Sequence, residues 1–434
     1  MIEKVYPRVL VSTVGQWSDV GSDTWSMLLS KYDKSKVASL YLRAKKSKSP
    51  CCNRYFHIFE ERVMKSIFRI GVQTGEEYLY LVEDGLDTND SSALQKNEKE
   101  RYAKYSKKKT WFYVFARELV WKFGHWKSKE FKQFIDDFDP EVLVFPIESY
   151  IHLNRINKYI IKKKHPKVIG FFNDDNFSYK QSNKLGYKLH RFWLRRSVKW
   201  LVRHCDKVFA VCPKMKRECD KEFGINSVVL SKPMVCNTAF IPYQPSKPIR
   251  LLYAGKLYIN RDKTIISIAQ AIKKINEDGI KVVMDVYSGS PLTKDTIEAI
   301  ECSPASRFRG EIPYSQVFEE MKKSDVLLFV EDLSEENVAA RLSFSTKITD
   351  LFGSGKCMWA IGNSDLGPIE YIKEQNAGFV STSKKEIYDT LTQIVEHPEL
   401  ITEYAQKGFV CGQKHHNVVN LTQIFENSFR GDIE

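Results

Sequence analysis

Along almost the whole chain, short apolar runs rich in β-branched residues alternate with longer stretches of helical period. In the first half the runs are Val9-Leu10-Val11-Ser12-Thr13, Val37-Ala38-Ser39-Leu40-Tyr41-Leu42, Val142-Leu143-Val144-Phe145, Val168-Ile169-Gly170-Phe171-Phe172 and Val208-Phe209-Ala210-Val211. Each reads as a strand buried on both faces. Segments 148–164 and 187–204 between them read as helices. This rhythm predicts βαβ units and a parallel sheet. It breaks around 236–249, where Pro242-Tyr243-Gln244-Pro245-Ser246-Lys247-Pro248 has three prolines in seven residues and no apolar period, so a linker is expected there.

The alternation restarts with Ile249-Arg250-Leu251-Leu252-Tyr253-Ala254. Helices are predicted at about 263–277, 293–301, 314–323 and 345–354, and strands at 281–287, 325–330 and 356–361. The chain is thus read as α/β: an N-terminal Rossmann-like domain over 1–241 and a C-terminal one over 249–434, with the last helix a candidate to cross back to the first domain. Sheets of this kind bind ligands at the carboxyl ends of their strands, so two of them are expected to face each other across a cleft. Residues 84–110 are polar with almost no apolar period and read as a loop inserted into the first domain, the insertion extending to about 132.

Charge changes the picture. Of 434 residues, 67 are Lys or Arg and 54 Asp or Glu, a net charge of +13, but residues 1–248 hold a net +19 and residues 249–434 a net −6. The basic half therefore meets an anionic surface, either nucleic acid or an anionic membrane leaflet. Residues 101–132 combine ten Lys or Arg with ten aromatics, and the 187–204 helix carries Lys188, Arg191, Arg195, Lys199 and Arg203 with Trp193 and Trp200. Aromatic rings with long cationic stems suit a membrane headgroup zone, while a core aromatic face with a solvated basic face is the plainer alternative. No apolar stretch reaches the roughly 18 residues of a membrane span. Nine cysteines without short paired spacings fit a reducing compartment, and Cys205, Cys212 and Cys219, seven apart, follow helical turns rather than a metal motif. A cytoplasmic protein, at most peripheral to a membrane, is expected.

The second half carries the specific motifs: Leu252-Tyr253-Ala254-Gly255-Lys256-Leu257, Arg309-Gly310-Glu311-Ile312-Pro313-Tyr314, the passage Met321 to Leu328, and the block Ser343-Phe344-Ser345-Thr346-Lys347-Ile348-Thr349-Asp350-Leu351-Phe352-Gly353-Ser354-Gly355-Lys356. In order and spacing, over about 249–380, these resemble the donor-binding domain of nucleotide-sugar glycosyltransferases of the two-Rossmann-domain GT-B architecture, within the retaining family 4-like group.

The resemblance implies a nucleoside-diphosphate sugar as donor, a saccharide or lipid-linked acceptor, and no metal or other cofactor. Transfer from such a donor builds negative charge on the departing phosphate, which cations and backbone donors must offset. Lys347, after Ser345 and Thr346 at a helix start, and Arg261, after the Gly255 turn, are the expected catalytic cations; Lys256 and Lys263 are alternatives to Arg261. Asp350 stands where the family has the second Glu of its Glu-x7-Glu pattern, for the ribose hydroxyls. Eight residues earlier stands Leu342, so the first Glu is not assignable. Glu331, in the acidic loop 331–337, is a candidate for sugar contact, and Gly310 opens the turn expected to hold the base.

On the acceptor side, Gly15 and Gly21 flank a loop after the first strand, and Asp174 and Asp175 lie in Asn173-Asp174-Asp175-Asn176 at another strand end. The reading is a hexosyltransferase of surface polysaccharide or glycolipid synthesis that docks on an anionic membrane through its first domain and does not bind nucleic acid. A nucleotide-sugar epimerase, a non-catalytic sugar-binding relative, and a basic nucleic-acid-binding protein are the alternatives.

Overall fold

The computed structural model describes residues 6–15, 17, 24–43, 49, 51–79, 111–235, 239–335 and 340–430. The chain forms two compact units. The first runs to Val211 and takes in Lys216–Leu230 and the C-terminal stretch from Thr422; the second comprises Cys212–Met215 and Ser231–Leu421.

The first unit is built on β1 (Val9–Ser12), β2 (Val37–Tyr41), β3 (Arg54–Ile58), β4 (Gly75–Leu79), β5 (Val142–Pro146), β6 (Lys167–Phe172), β7 (Lys207–Ala210) and β8 (Val228–Val229), in the order β4-β3-β2-β1-β5-β6-β7-β8. All neighbours are parallel except β3 and β4. Strands β1, β2 and β5 are buried along their whole length, as apolar runs covered on both faces must be. Strand β4 sits at the edge, with Tyr78 buried less than its partner Tyr55 and with Arg54 pairing Glu77 at 2.6 Å. The periodicity reading missed β3 and β4: Arg54-Tyr55-Phe56-His57-Ile58 carries a buried histidine, and Gly75-Glu76-Glu77-Tyr78-Leu79 has the polar residues of an edge.

In the second unit β9 (Ile249–Ala254), β10 (Val282–Tyr287), β11 (Ser306–Gly310), β12 (Val326–Val330), β13 (Cys357–Ile361) and β14 (Phe379–Ser381) form an all-parallel sheet ordered β11-β10-β9-β12-β13-β14. The order reverses between β9 and β12, and in the first unit between β1 and β5. Each reversal is a topological switch point, where the connecting loops diverge and leave a crevice at the strand ends. The helices Arg261–Ile275, Lys384–Glu396 and Glu399–His415 bury their apolar faces on this sheet around Ile268, Ile272, Leu391 and Ile401.

The domain boundary lies earlier than the proline-rich segment. Ser231 Oγ meets His416 Nδ1 at 2.5 Å, Lys232 Nζ donates to Asp350 at 2.6 Å, and Tyr243 donates to the Asp325 carbonyl at 2.6 Å. These bonds fasten Ser231, Lys232 and Tyr243 to the second unit, so the proline-rich segment from Pro242 packs as a strap rather than running free. The C-terminal helix Val418–Arg430 ends in the first unit, where Phe425 packs on Trp25 and Phe209. Of the expected insertion, residues 84–110 lie outside the described residues. From 111 the chain is helical, Trp111–Phe123 and then Lys129–Phe138, with Trp121, Phe131 and Phe134 buried.

Candidate functional site

At the switch point of the second unit, Gly255 follows the end of β9 at Ala254, and Glu331 and Asp332 follow the end of β12 at Val330. The expected donor residues meet here. Arg261 opens the helix that follows β9, and its guanidinium binds Glu331 through two bonds, Nε to Oε2 at 2.9 Å and Nη2 to Oε1 at 2.6 Å. Thr264, one turn on, donates to the Glu331 carbonyl at 2.9 Å. The Glu331 side chain is 6% exposed and that of Arg261 20%, so the fork is largely shielded from solvent.

Lys347 begins the short helix Lys347–Gly353, and its ammonium donates to the Ala254 carbonyl at 3.0 Å. Glycine at 255 makes room for it: a Cβ there would stand 1.8 Å from Lys347 Nζ. Burial, then the Arg261 and Lys256 charges, pull the Lys347 amine down to about 8, against the opposing carboxylates of Glu331 and Asp350. Lys256 and Arg261 flank the Tyr258 ring at 5.7 and 5.8 Å. Three cations thus converge on one strand end, with Glu331 bound to Arg261 and Asp350 to Lys232, an excess of positive charge that suits a diphosphate. Between strand and helix, Ile259 and Asn260 both hold left-handed backbone at φ 61° and 58°. For a β-branched residue this is strained, as backbone at ligand loops often is.

The acidic loop is largely committed inward. Besides Glu331, Asp332 is buried and accepts from Asn260 Nδ2 at 2.9 Å and from Ser334 at 3.0 and 2.7 Å. Glu335 is exposed, and Glu336 and Asn337 lie outside the described residues. Asp350 holds a buried partner that the sequence did not signal, Lys232, whose side chain is 2% exposed. Burial raises the Asp350 carboxyl, and Lys232 and Lys347 oppose that rise. Ser345 accepts from the Lys347 backbone at 3.4 Å and Thr346 is exposed. Gly310 ends β11 at φ 71°, which glycine alone adopts freely, and its carbonyl accepts from Ser288 at 2.7 Å; Tyr314 starts the next helix with its ring half exposed. Leu342, in place of the first glutamate, is fully buried.

In the first unit Gly15 follows β1, with open space where a Cβ would sit, and Gly21 lies outside the described residues. Asp175 is fully buried and accepts from the Ser178 backbone at 2.9 Å and from the Ser178 hydroxyl, so it builds the turn after β6 rather than facing a ligand. Its neighbour Asp174 is exposed. The sequence reading passed over Glu148, just beyond β5. Burial and the Asp174 charge push its carboxyl up to about 7, with Asn173 and Arg43 opposing. Nothing in its local sequence marks it; only the register of β5 beside β6 brings Glu148 near Asp174. Among the described residues no cluster of three or more His, Cys, Asp or Glu is placed to hold a metal, and no helix is long and apolar enough to cross a membrane.

No protein-family model matches the chain, and no curated protein sequence does. Solved structures do match over nearly its full length. HepE from Anabaena, solved with UDP, aligns with a TM-score of 0.61 at 9% identity, covering 98% of this chain and 99% of that one. Sucrose-phosphate synthase from Thermosynechococcus elongatus aligns at 0.57 and 11% identity, covering 98% of each chain. The lipopolysaccharide outer core galactosyltransferase WaaB aligns at 0.56 and 13%, covering 98% of this chain and all of the other. With two Rossmann-like units in this order and matches spanning both, the chain has the GT-B glycosyltransferase fold.

Proposed function

We propose that the protein is a glycosyltransferase that moves a hexose from a nucleoside-diphosphate sugar to a saccharide acceptor. The observation that supports this most is the convergence of Lys347, Arg261 and Lys256 at the switch point of a sheet whose fold is shared with HepE, a protein solved with UDP. In this reading Lys347 and Arg261 hold the diphosphate and offset the charge that grows on it as the glycosidic bond breaks. Asp350, oriented by Lys232, receives the ribose hydroxyls. The turn at Gly310 takes the base, and Glu331 fixes the Arg261 fork. We assign the acceptor to a lipid-linked saccharide of surface polysaccharide or glycolipid synthesis, met by the first unit at the inner face of a membrane. Transfer with retention of configuration and without a metal follows from the family resemblance.

The test is calorimetry with UDP and GDP, followed by donor turnover with and without an acceptor extract. Lys347→Ala and Arg261→Ala are each expected to lose diphosphate affinity and to cut turnover by about 10²-fold or more. Arg261→Ala also strands Glu331, so Arg261→Met with Glu331→Gln serves as control: it should fold as stably as the parent yet remain inactive. Undiminished turnover in Lys347→Ala and in the double variant would overturn the phosphate assignment.

A further inference from the structure

The basic and aromatic segments of the first unit are not consumed by the donor chemistry, and the structure sorts their residues in a way that composition did not. On the helix Leu185–Val202, the cations expected on one stripe divide. Arg191 is buried, donating to Gln181 at 2.9 Å and lying against Tyr187, and Arg195 turns to Glu222 and the Phe177 carbonyl. These two serve the interior. The outward face instead repeats at helical spacing as Leu185, Lys188, Leu189, Phe192, Trp193, Arg196 and Lys199, all exposed. Leu185 is 82% and Trp193 53% accessible, and the helix contains no acidic residue.

The neighbouring helix Trp111–Phe123 does the same. Its inner side sends Trp111 against Tyr187 and His190 at 5.5 and 5.9 Å, so closely that a Cβ on Gly186 would lie 2.4 Å from the Trp111 ring. Its outer side exposes Phe112 at 74% and Phe123 at 61%, with Leu119 between them. Lys122 lies over the Phe123 ring at 5.4 Å, and Arg196 over Phe192 at 5.8 Å. Two adjacent helices therefore each bury one apolar face and present a second, accompanied by Lys122 on the shorter helix and by Lys188, Arg196 and Lys199 on the longer.

A helix whose solvent face carries bulky apolar residues and only positive charge is suited to an interface of acyl chains and anionic headgroups. A protein partner would need acidic patches shaped to the ring pattern, and nucleic acid would not repay exposing Leu185, Leu189 and Phe123. We propose that the outward faces of the helices Trp111–Phe123 and Leu185–Val202 form one docking surface for an anionic lipid bilayer. The apolar side chains enter the acyl boundary, and Lys188, Arg196 and Lys199 contact lipid phosphates. This deepens the membrane part of the proposed function, on which it rests, and is independent of the donor chemistry.

The experiment is flotation of the full chain with vesicles of neutral phosphatidylcholine, or of the same lipid with about a third phosphatidylglycerol. The expected result is binding to the anionic vesicles only, weakening as salt rises. Arg196→Glu with Lys199→Glu should lower the apparent vesicle affinity at least about tenfold, since each cation near an anionic surface contributes severalfold. Leu189→Ser with Trp193→Ser should lower it comparably, while Lys347→Ala binds vesicles like the parent. Melting temperature and UDP affinity, measured on both surface variants, should stay unchanged, which separates loss of docking from loss of fold. The proposal is overturned if the parent does not float with anionic vesicles. It is equally overturned if both surface variants float like the parent, or if the variants abolish self-association or single-stranded nucleic-acid binding while vesicle binding is absent throughout.

Discussion

Lys347 is the cation on which the proposed diphosphate site depends most. Its amine is depressed to about 8 by burial and by the Arg261 and Lys256 charges, so it is charged at pH 7 and loses its proton as pH rises through 8. A bound diphosphate brings negative charge that favours the ammonium. Diphosphate affinity should therefore be highest below pH 8 and fall above it, and binding at pH 8 should take up a fraction of a proton. Calorimetry in buffers of different ionisation enthalpy reads this directly; in Lys347→Met the uptake should vanish, and its persistence would assign it elsewhere. At this scale the sequence was informative in part. Lys347 and Arg261 stand in motifs whose order was legible, whereas Lys232 and Glu148 owe their environments to segments about 118 and 26 residues away, Asp350 and Asp174, and no local pattern announces them.

Elements decide how those side chains meet. The end of β9 admits the Lys347 ammonium only because residue 255 has no Cβ, and the adjacent Ala254 carbonyl gives it a fixed partner. Gly255→Ala is expected to keep the fold, because no left-handed backbone is required there, but to displace the ammonium and lower UDP affinity about tenfold or more. Equal affinity in the variant and the parent would show that the amine need not sit against the strand. In the second unit β9, β10, β12 and β13 and the helices between Arg261 and Gly353 were legible, since a parallel strand covered on both faces must be a short apolar run and its crossover helix a longer periodic one. Strand β11 with its two arginines, the three-residue β14 and the helices Gly367–Glu374, Lys384–Glu396 and Glu399–His415 were not read. The missed β3 and β4 lie toward the sheet margin: β4 has the polar, partly covered pattern of an edge, and β3, though buried, sets Arg54 and His57 among its apolar residues. The proline-rich stretch misled for a related reason: proline forbids a regular element but does not prevent packing, and Tyr243 packs through its hydroxyl and ring.

At the scale of the molecule, the chain returns to its first unit at the end. Phe425 is fully buried against Trp25 and Phe209, and Phe429 packs on Tyr32 at 5.6 Å. Phe425→Ala should cost the first unit about 3–5 kcal/mol, seen as a lower urea midpoint for a probe in that unit, such as exchange of the β5 and β6 amides, with the β9 and β12 amides little affected. Equal loss of protection in both sheets would mean that the units unfold as one. The split of charge, +19 against −6, likewise belongs to this scale: the count places the excess of cations in the first half, and only exposure shows which of them stand on the outward helix faces of the proposed docking surface. By itself the sequence determined the alternation of strands and helices, the two-unit plan and the cations of the donor motif, because these follow from periodicity and short-range spacing. Tertiary structure alone decided that Arg261 and Glu331 form one fork, that Asp175 is spent on a turn, that Lys232 stands behind Asp350 and that bulky apolar side chains share the outward helix stripe with cations. Each of these depends on strand register and helix packing between residues far apart in the chain, and local pattern holds no record of those.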